Sequence, residues 1–203
     1  MSSSRPMFVR SIGLSLLLLI LATLALTVPA TVASAAETED AAETEDHAQR
    51  PSPVVQAVRA ATRDYRDVNA AIAAGYVSAG MCVSGPNEGA MGVHYANEAL
   101  IADGEIDVNR PEILVYEPVN GRLQLAAIEY FVVAEQWDAA HEGPPSVEGQ
   151  HFHYAGAPNR LRAPAYYELH VWAWKRNKKG TFADYNPDVS CAQYTGELMG
   201  NGE

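Results

Sequence analysis

A β-hairpin signal in the middle of the 203-residue chain limits the folds that are open to it. Two largely apolar runs, residues 113–117 and 122–133, flank the turn residues Pro118-Val119-Asn120-Gly121. Asn-Gly favours the tight turn of a hairpin because both residues tolerate positive φ. Both faces of the second run are largely apolar, so we predict a central strand that is covered on each side.

Short segments with a period of two residues, bounded by Gly, Pro and Asn, predict further antiparallel strands. These strands are expected over residues 76–83, 91–96, 151–154 and 166–175. Helical segments do not alternate with them, which excludes a doubly wound α/β fold.

One helix is predicted before the strands. Ser52 provides its N-cap, Pro53 its first residue and Gly75 its end. Its apolar stripe recurs in steps of three and four residues and consists of Val54, Val58, Ala61, Tyr65, Val68 and Ile72. The predicted fold class is therefore α+β, with one N-terminal amphipathic helix packed on a curved antiparallel β-sheet or small β-barrel.

Residues 1–35 have the organisation of a secretory signal peptide, which predicts a secreted or extracytoplasmic protein. Arg5 and Arg10 precede a leucine-rich run, and Ala33-Ser34-Ala35 offers small residues for cleavage. A single transmembrane anchor is the alternative interpretation.

The rest of the chain is predicted to hold one domain. Residues 36–50 are expected to be an acidic disordered tether, because they repeat an acidic hexapeptide and cannot bury enough apolar surface to fold. A single globular α+β domain over residues 51–194 and a flexible C-terminal tail over residues 195–203 follow.

The formal net charge of −11 bears on the partners of the protein. Strong acidity repels phosphate backbones and anionic lipids, so nucleic acid is excluded as a partner and no stable membrane anchor is expected after signal cleavage. A small-molecule ligand or a metal ion is the expected partner. Signatures of serine hydrolases, P-loop proteins and dinucleotide-binding proteins are absent from the sequence.

The two cysteines, Cys82 and Cys191, are far apart in the sequence. An even number of cysteines in an exported domain, without a C-x-x-C motif, predicts one structural disulfide.

Histidines and one glutamate in the predicted strands indicate a metal site. Glu129 alternates with apolar residues and so points into their face of the strand, where a carboxylate needs a partner. His151 and His153 are two residues apart, so on one strand both imidazoles project to the same side. The predicted ligand set is His94, Glu129, His151, His153 and His170.

Imidazoles with one carboxylate are ligands for a divalent transition metal such as zinc, iron, copper or manganese. Glu129 is the candidate catalytic residue, either as a ligand or as a general base. A metal-dependent enzyme and a metal carrier both fit this set.

The His151-x-His153 pair with a glutamate and a further histidine on antiparallel strands resembles the metal site of cupin barrels. Glu129 precedes the pair here, whereas in cupins the glutamate follows it. The resemblance is one of architecture.

An alternative hypothesis is a metal-free binding module. Aromatic rings on a concave sheet can stack sugars or enclose a hydrophobic ligand. Trp172 and Trp174 are expected to share a face with His170, and the candidate ligand-binding residues are Trp172, Trp174, Tyr154 and Tyr167.

Overall fold

The computed structural model describes residues 51–159 and 161–200, and this part of the chain begins with three short helical segments. Helix α1 (Pro53–Thr62) is followed by a 3₁₀ turn (Arg63–Arg66) and helix α2 (Val68–Ala73). The predicted signal peptide and acidic tether lie outside the described residues.

The predicted continuous helix is therefore interrupted at Asp67. This residue has an extended backbone, and its side chain accepts a hydrogen bond from the backbone N–H of Asn69. Asp67 thus caps a new helix, because an aspartate at this position satisfies an otherwise unpaired amide. Beyond the break Val68 still packs against the core, but Ile72 is 52% exposed and Ala71 is buried instead.

Nine strands and two further helices follow in the described part of the chain. The strands are β1 (Val77–Gly85), β2 (Gly89–Ala96), β3 (Ile113–Val119), β4 (Arg122–Val133), β5 (Ser146–Val147), β6 (Gln150–His151), β7 (His153–Ala155), β8 (Tyr166–Val171) and β9 (Glu197–Gly200). Helix α3 (Glu98–Asp103) precedes β3, and helix α4 (Ala134–Ala140) follows β4.

Seven strands form one curved sheet in the order β7-β8-β4-β3-β2-β1-β9, and β5 pairs with β6 separately. The predicted α+β class with a curved antiparallel sheet is confirmed, and the sheet forms a half-barrel. Within the described ranges it does not close, because β7 and β9 are its two edges. Strand β9, which lies within the predicted C-terminal tail, pairs in parallel with β1.

The central hairpin forms at the Asn-Gly signal. Asn120 and Gly121 have φ angles of 51° and 73°, as a type I′ turn requires. Strand β4 pairs with β3 on one side and with β8 on the other, so it is the central strand that the sequence predicts.

The sheet has two covered faces. On the first, the helical face, Val54, Val55 and Val58 of α1 pack with a cluster from β3, β4 and β8 that includes Tyr116 and Tyr130. The second, the pocket face, carries Ile113, Val115, Phe131 and other apolar residues, over which the C-terminal segment lays Val189 and Cys191.

The predicted disulfide between Cys82 and Cys191 is confirmed. It joins strand β1 to the C-terminal segment that covers the pocket face. Among the described residues, no helix is both long enough and apolar enough to cross a membrane.

Candidate metal centre

Three strands bring two histidines and a glutamate together on the pocket face. Glu129 of β4 lies directly opposite His170 of β8 in the antiparallel register. His94 lies on β2, which is separated from β4 by β3. Strands two places apart are about 9–10 Å from each other, so only side chains that converge on one concave face can close this gap.

The three side chains do converge. The Nε2 atom of His94 lies 3.3 Å from Oε2 of Glu129, and Nε2 of His170 lies 3.6 Å from the same oxygen. One nitrogen or oxygen atom from each residue lies within 4.8 Å of those of the other two, a spacing at which the three could hold one metal ion.

These separations fit a metal coordination shell. Ligand atoms about 2.0–2.2 Å from a tetrahedral zinc ion are roughly 3.3–3.6 Å apart. The two imidazole rings are perpendicular, with an interplanar angle of 88° and centroids 6.1 Å apart. Two histidines and one carboxylate are the ligand set of many catalytic zinc and non-haem iron centres.

The group is buried. The side chains of His170 and Glu129 are 0% and 3% exposed, and that of His94 is 12% exposed. Low solvent access strengthens the electrostatic attraction between a cation and the Glu129 carboxylate.

A second acid, Glu112, is buried near this group. Its Oε2 accepts a hydrogen bond from the backbone N–H of Phe131 at 2.9 Å. Burial raises the pKa of Glu112 to about 8, and the charge of Glu129 adds to this effect. Glu112 is therefore mainly neutral at pH 7.

The centre opens onto a cavity of about 210 Å³. His94 and Glu129 form part of its wall, and the other lining residues in the described chain are apolar. They come from β1, β2, β3, β4, α3 and the loop before β8, and include Met81, Val83, Ile101, Ile113, Phe131 and Leu161.

The predicted ligand set also contained His151 and His153. Both lie outside this three-residue group. Their shared strand is interrupted at the buried Phe152, so His151 belongs to β6 of the small sheet and His153 to β7 of the large one. Both histidines are exposed.

His153 is connected to the group through Asp184. The Oδ1 atom of Asp184 lies 3.2 Å from Nδ1 of His153 and 3.9 Å from Nδ1 of His170. The two nitrogens of His170 thus face two different carboxylates, at 3.6 Å from Glu129 and 3.9 Å from Asp184. Sequence reasoning missed Asp184 because it lies in a loop that has no periodic pattern.

The four aromatic residues of the alternative hypothesis do not form one surface. Strand β8 ends at Val171, where the amide of Ala173 bonds back to the Val171 carbonyl. The turn places Trp172 in the cluster of the pocket face and Trp174 against the cluster of the helical face. The expectation that both indoles share a face with His170 is therefore wrong.

Each indole also has its own hydrogen bond. Trp172 donates to the Ala183 carbonyl, and Trp174 donates to the Thr62 hydroxyl. Tyr154 and Tyr167 form a separate pair with ring centroids 5.4 Å apart, and Tyr154 is 61% exposed.

No protein family, curated protein or solved structure matches this chain. The architectural resemblance to cupins is weakened further, because the H-x-H pair that carries it lies outside the three-residue group.

Proposed function

We propose that the protein is a metal-dependent enzyme that holds one divalent transition-metal ion on His94, Glu129 and His170. The observation that carries this proposal is the convergence of three ligand atoms, from three strands, at separations suited to one ion. Zinc, iron, copper and manganese all accept such ligands.

The adjoining cavity favours an enzyme over a metal carrier. Catalytic metal sites keep a position open for water or substrate, whereas structural sites are closed by four protein ligands. The three-residue group leaves such a position available, and His94 and Glu129 reach the wall of the cavity. A bound ion would act there as a Lewis acid or as an activator of water or dioxygen.

Metal analysis of the untagged chain tests the proposal. After incubation with Zn²⁺, Fe²⁺, Mn²⁺ or Cu²⁺ and removal of excess metal, at least one of these ions should be retained at one equivalent. His94→Gln and His170→Ala should each weaken binding of that ion by at least tenfold, because each removes one of three ligands.

His141→Ala is the matched control, because His141 is exposed and stacks on Trp137 away from the group. Its metal content should equal that of the unmodified chain. Retention of less than a tenth of an equivalent of every ion would exclude the metal site, as would equal binding by folded His94→Gln and His141→Ala.

A further inference from the structure

We infer that the cavity beside the metal centre binds a small apolar monoanion, a carboxylate with a hydrocarbon body of about six to ten carbons, through its charged head at the metal. The inference rests on the proposed metal site and adds the class of molecule that it serves. Three properties of the cavity support it: the chemistry of its wall, its volume and its charge.

The wall of the cavity has a small polar part and a larger apolar part. His94 and Glu129 provide the polar groups, and the remaining described lining residues are apolar. Ile113 of β3 lies opposite Glu129 and Phe131 follows two residues later on β4, while Met81 and Leu161 line other parts. A ligand with one polar end and a hydrocarbon body matches such a wall, because burying a second polar group there would leave it without a hydrogen-bond partner.

The volume limits the size of the ligand. An apolar cavity of about 150 Å³ accommodates benzene. The cavity here, of about 210 Å³, is larger and has room for a benzene ring with a short side chain or for a short aliphatic chain. Sugars and peptides are excluded as occupants, because their many hydroxyl and amide groups would lose water without finding partners.

The charge at the metal centre determines which head group of the ligand can bind. Glu129 is the one acid in the described lining of the cavity, and neither lysine nor arginine lines it there. Without a metal, the described lining therefore offers an anion no lysine or arginine to pair with. A divalent ion held by two neutral imidazoles and one carboxylate carries a net charge of +1, which one monoanionic carboxylate neutralises.

The test uses zinc-loaded and metal-free chain, with phenylacetate and its uncharged counterpart 2-phenylethanol as probes in isothermal titration calorimetry. Phenylacetate should bind the zinc-loaded chain at least tenfold more tightly than 2-phenylethanol does. It should also bind at least tenfold more tightly than it binds the metal-free chain.

A variant whose larger side chain fills part of the cavity provides the second measurement. Ala96 lines the cavity at the end of β2, so Ala96→Leu should weaken phenylacetate binding about tenfold. The same variant should keep one equivalent of zinc and unchanged affinity for acetate, which has no hydrocarbon body. Ala140→Leu, at an exposed position of α4, is the control and should behave as the unmodified chain. If Ala96→Leu fails to fold, Leu161→Trp at a partly exposed lining position replaces it.

The possible failures are distinguishable. If zinc binds but phenylacetate binds no more tightly than 2-phenylethanol, the ligand class is wrong and the metal site stands. Equal phenylacetate binding with and without zinc likewise overturns the inference. If the chain retains none of the four metals, both the proposed function and this inference fail.

Discussion

Glu129 shows how a single residue can define a site. Its carboxylate is almost completely buried on a largely apolar face, where an isolated charge would be strongly unfavourable. Two imidazole nitrogens lie within 3.6 Å of its Oε2 atom. The alternation of residues in β4 was enough to predict that this acid needs partners, but not which of the histidines would reach it.

Glu112 should make stability depend on pH. Its pKa is about 8 in the folded protein against an ordinary value of 4.5, so the native state keeps a proton that the unfolded chain has already lost. The native state therefore loses stability as the pH rises from about 4.5 to 8. This loss is on the order of 4 kcal/mol for a shift of this size.

Urea denaturation of the unmodified chain and of Glu112→Gln at pH 5, 6, 7 and 8 measures this effect. The free energy of unfolding of Glu112→Gln relative to the unmodified chain should increase at each step, because glutamine stays neutral. Glu135→Gln, at an exposed position, serves as the control. A difference that stays constant across the pH range would contradict the prediction.

Lys175 should stabilise the protein through its ion pair with Glu117, another buried acid. Its Nζ atom lies 2.6 Å from Oε2 of Glu117, which is buried. Lys175→Met leaves that carboxylate without its cation and should lower the free energy of unfolding by about 2–3 kcal/mol.

Lys178→Met provides the comparison for this prediction, measured in the same denaturation experiment. Lys178 pairs with Asp188 at 2.9 Å, but this pair is more exposed to solvent and should contribute less than about 1 kcal/mol. Equal losses of unfolding free energy for the two variants would show that burial of the acid does not determine the contribution of the ion pair.

At the scale of elements, the interrupted H-x-H strand explains why His151 and His153 lie outside the three-residue group. A spacing of two brings side chains to one site only if both residues stay in one sheet. Here Phe152 is buried in the cluster of the helical face, and the chain changes sheets around it. Phe152 follows the alternation of the pattern, but the spacing could not reveal the change of sheet.

Gly92 should be essential to strand β2. It has a φ of 124°, and a Cβ atom at this position would lie 2.5 Å from the backbone oxygen of Tyr116 on β3. Gly92→Ala should therefore destabilise the protein by about 2 kcal/mol or more, because a backbone atom must move to accept the methyl group. Since His94 lies two residues further along β2, metal affinity should fall as well.

Thermal unfolding and metal titration of Gly92→Ala test both effects. Gly149→Ala is the matched control, because Gly149 also has a positive φ but a Cβ atom there meets open space. If Gly92→Ala is as stable as Gly149→Ala, the close approach of Gly92 to Tyr116 does not limit the stability of the protein.

For the whole molecule, the disulfide determines how the C-terminal segment is held over the pocket face. Cys82 and Cys191 are separated by 109 residues, and a cross-link over so long a loop contributes about 4–5 kcal/mol in the chain-entropy description. Cys82→Ser should lower the melting temperature under non-reducing conditions, and Cys82→Ser with Cys191→Ser should lower it by a similar amount. Differential scanning calorimetry checks this, and an unchanged melting curve would refute the stabilising role.

The sequence alone determined the local structure: the β4 hairpin, the strand alternation and the buried position of Glu129. These depend on neighbouring residues, since Asn-Gly sets the turn and a period of two sets the faces. With only two cysteines in the chain, the pairing could also be predicted.

The tertiary structure decided which side chains meet. His94 reaches Glu129 across β3, and His170 lies beside it, only because of the strand order β2-β3-β4-β8 and its register. The cavity likewise combines β1, α3 and the loop before β8. Strand order and curvature arise from packing between residues far apart in the chain, which the local spacing of histidines does not encode.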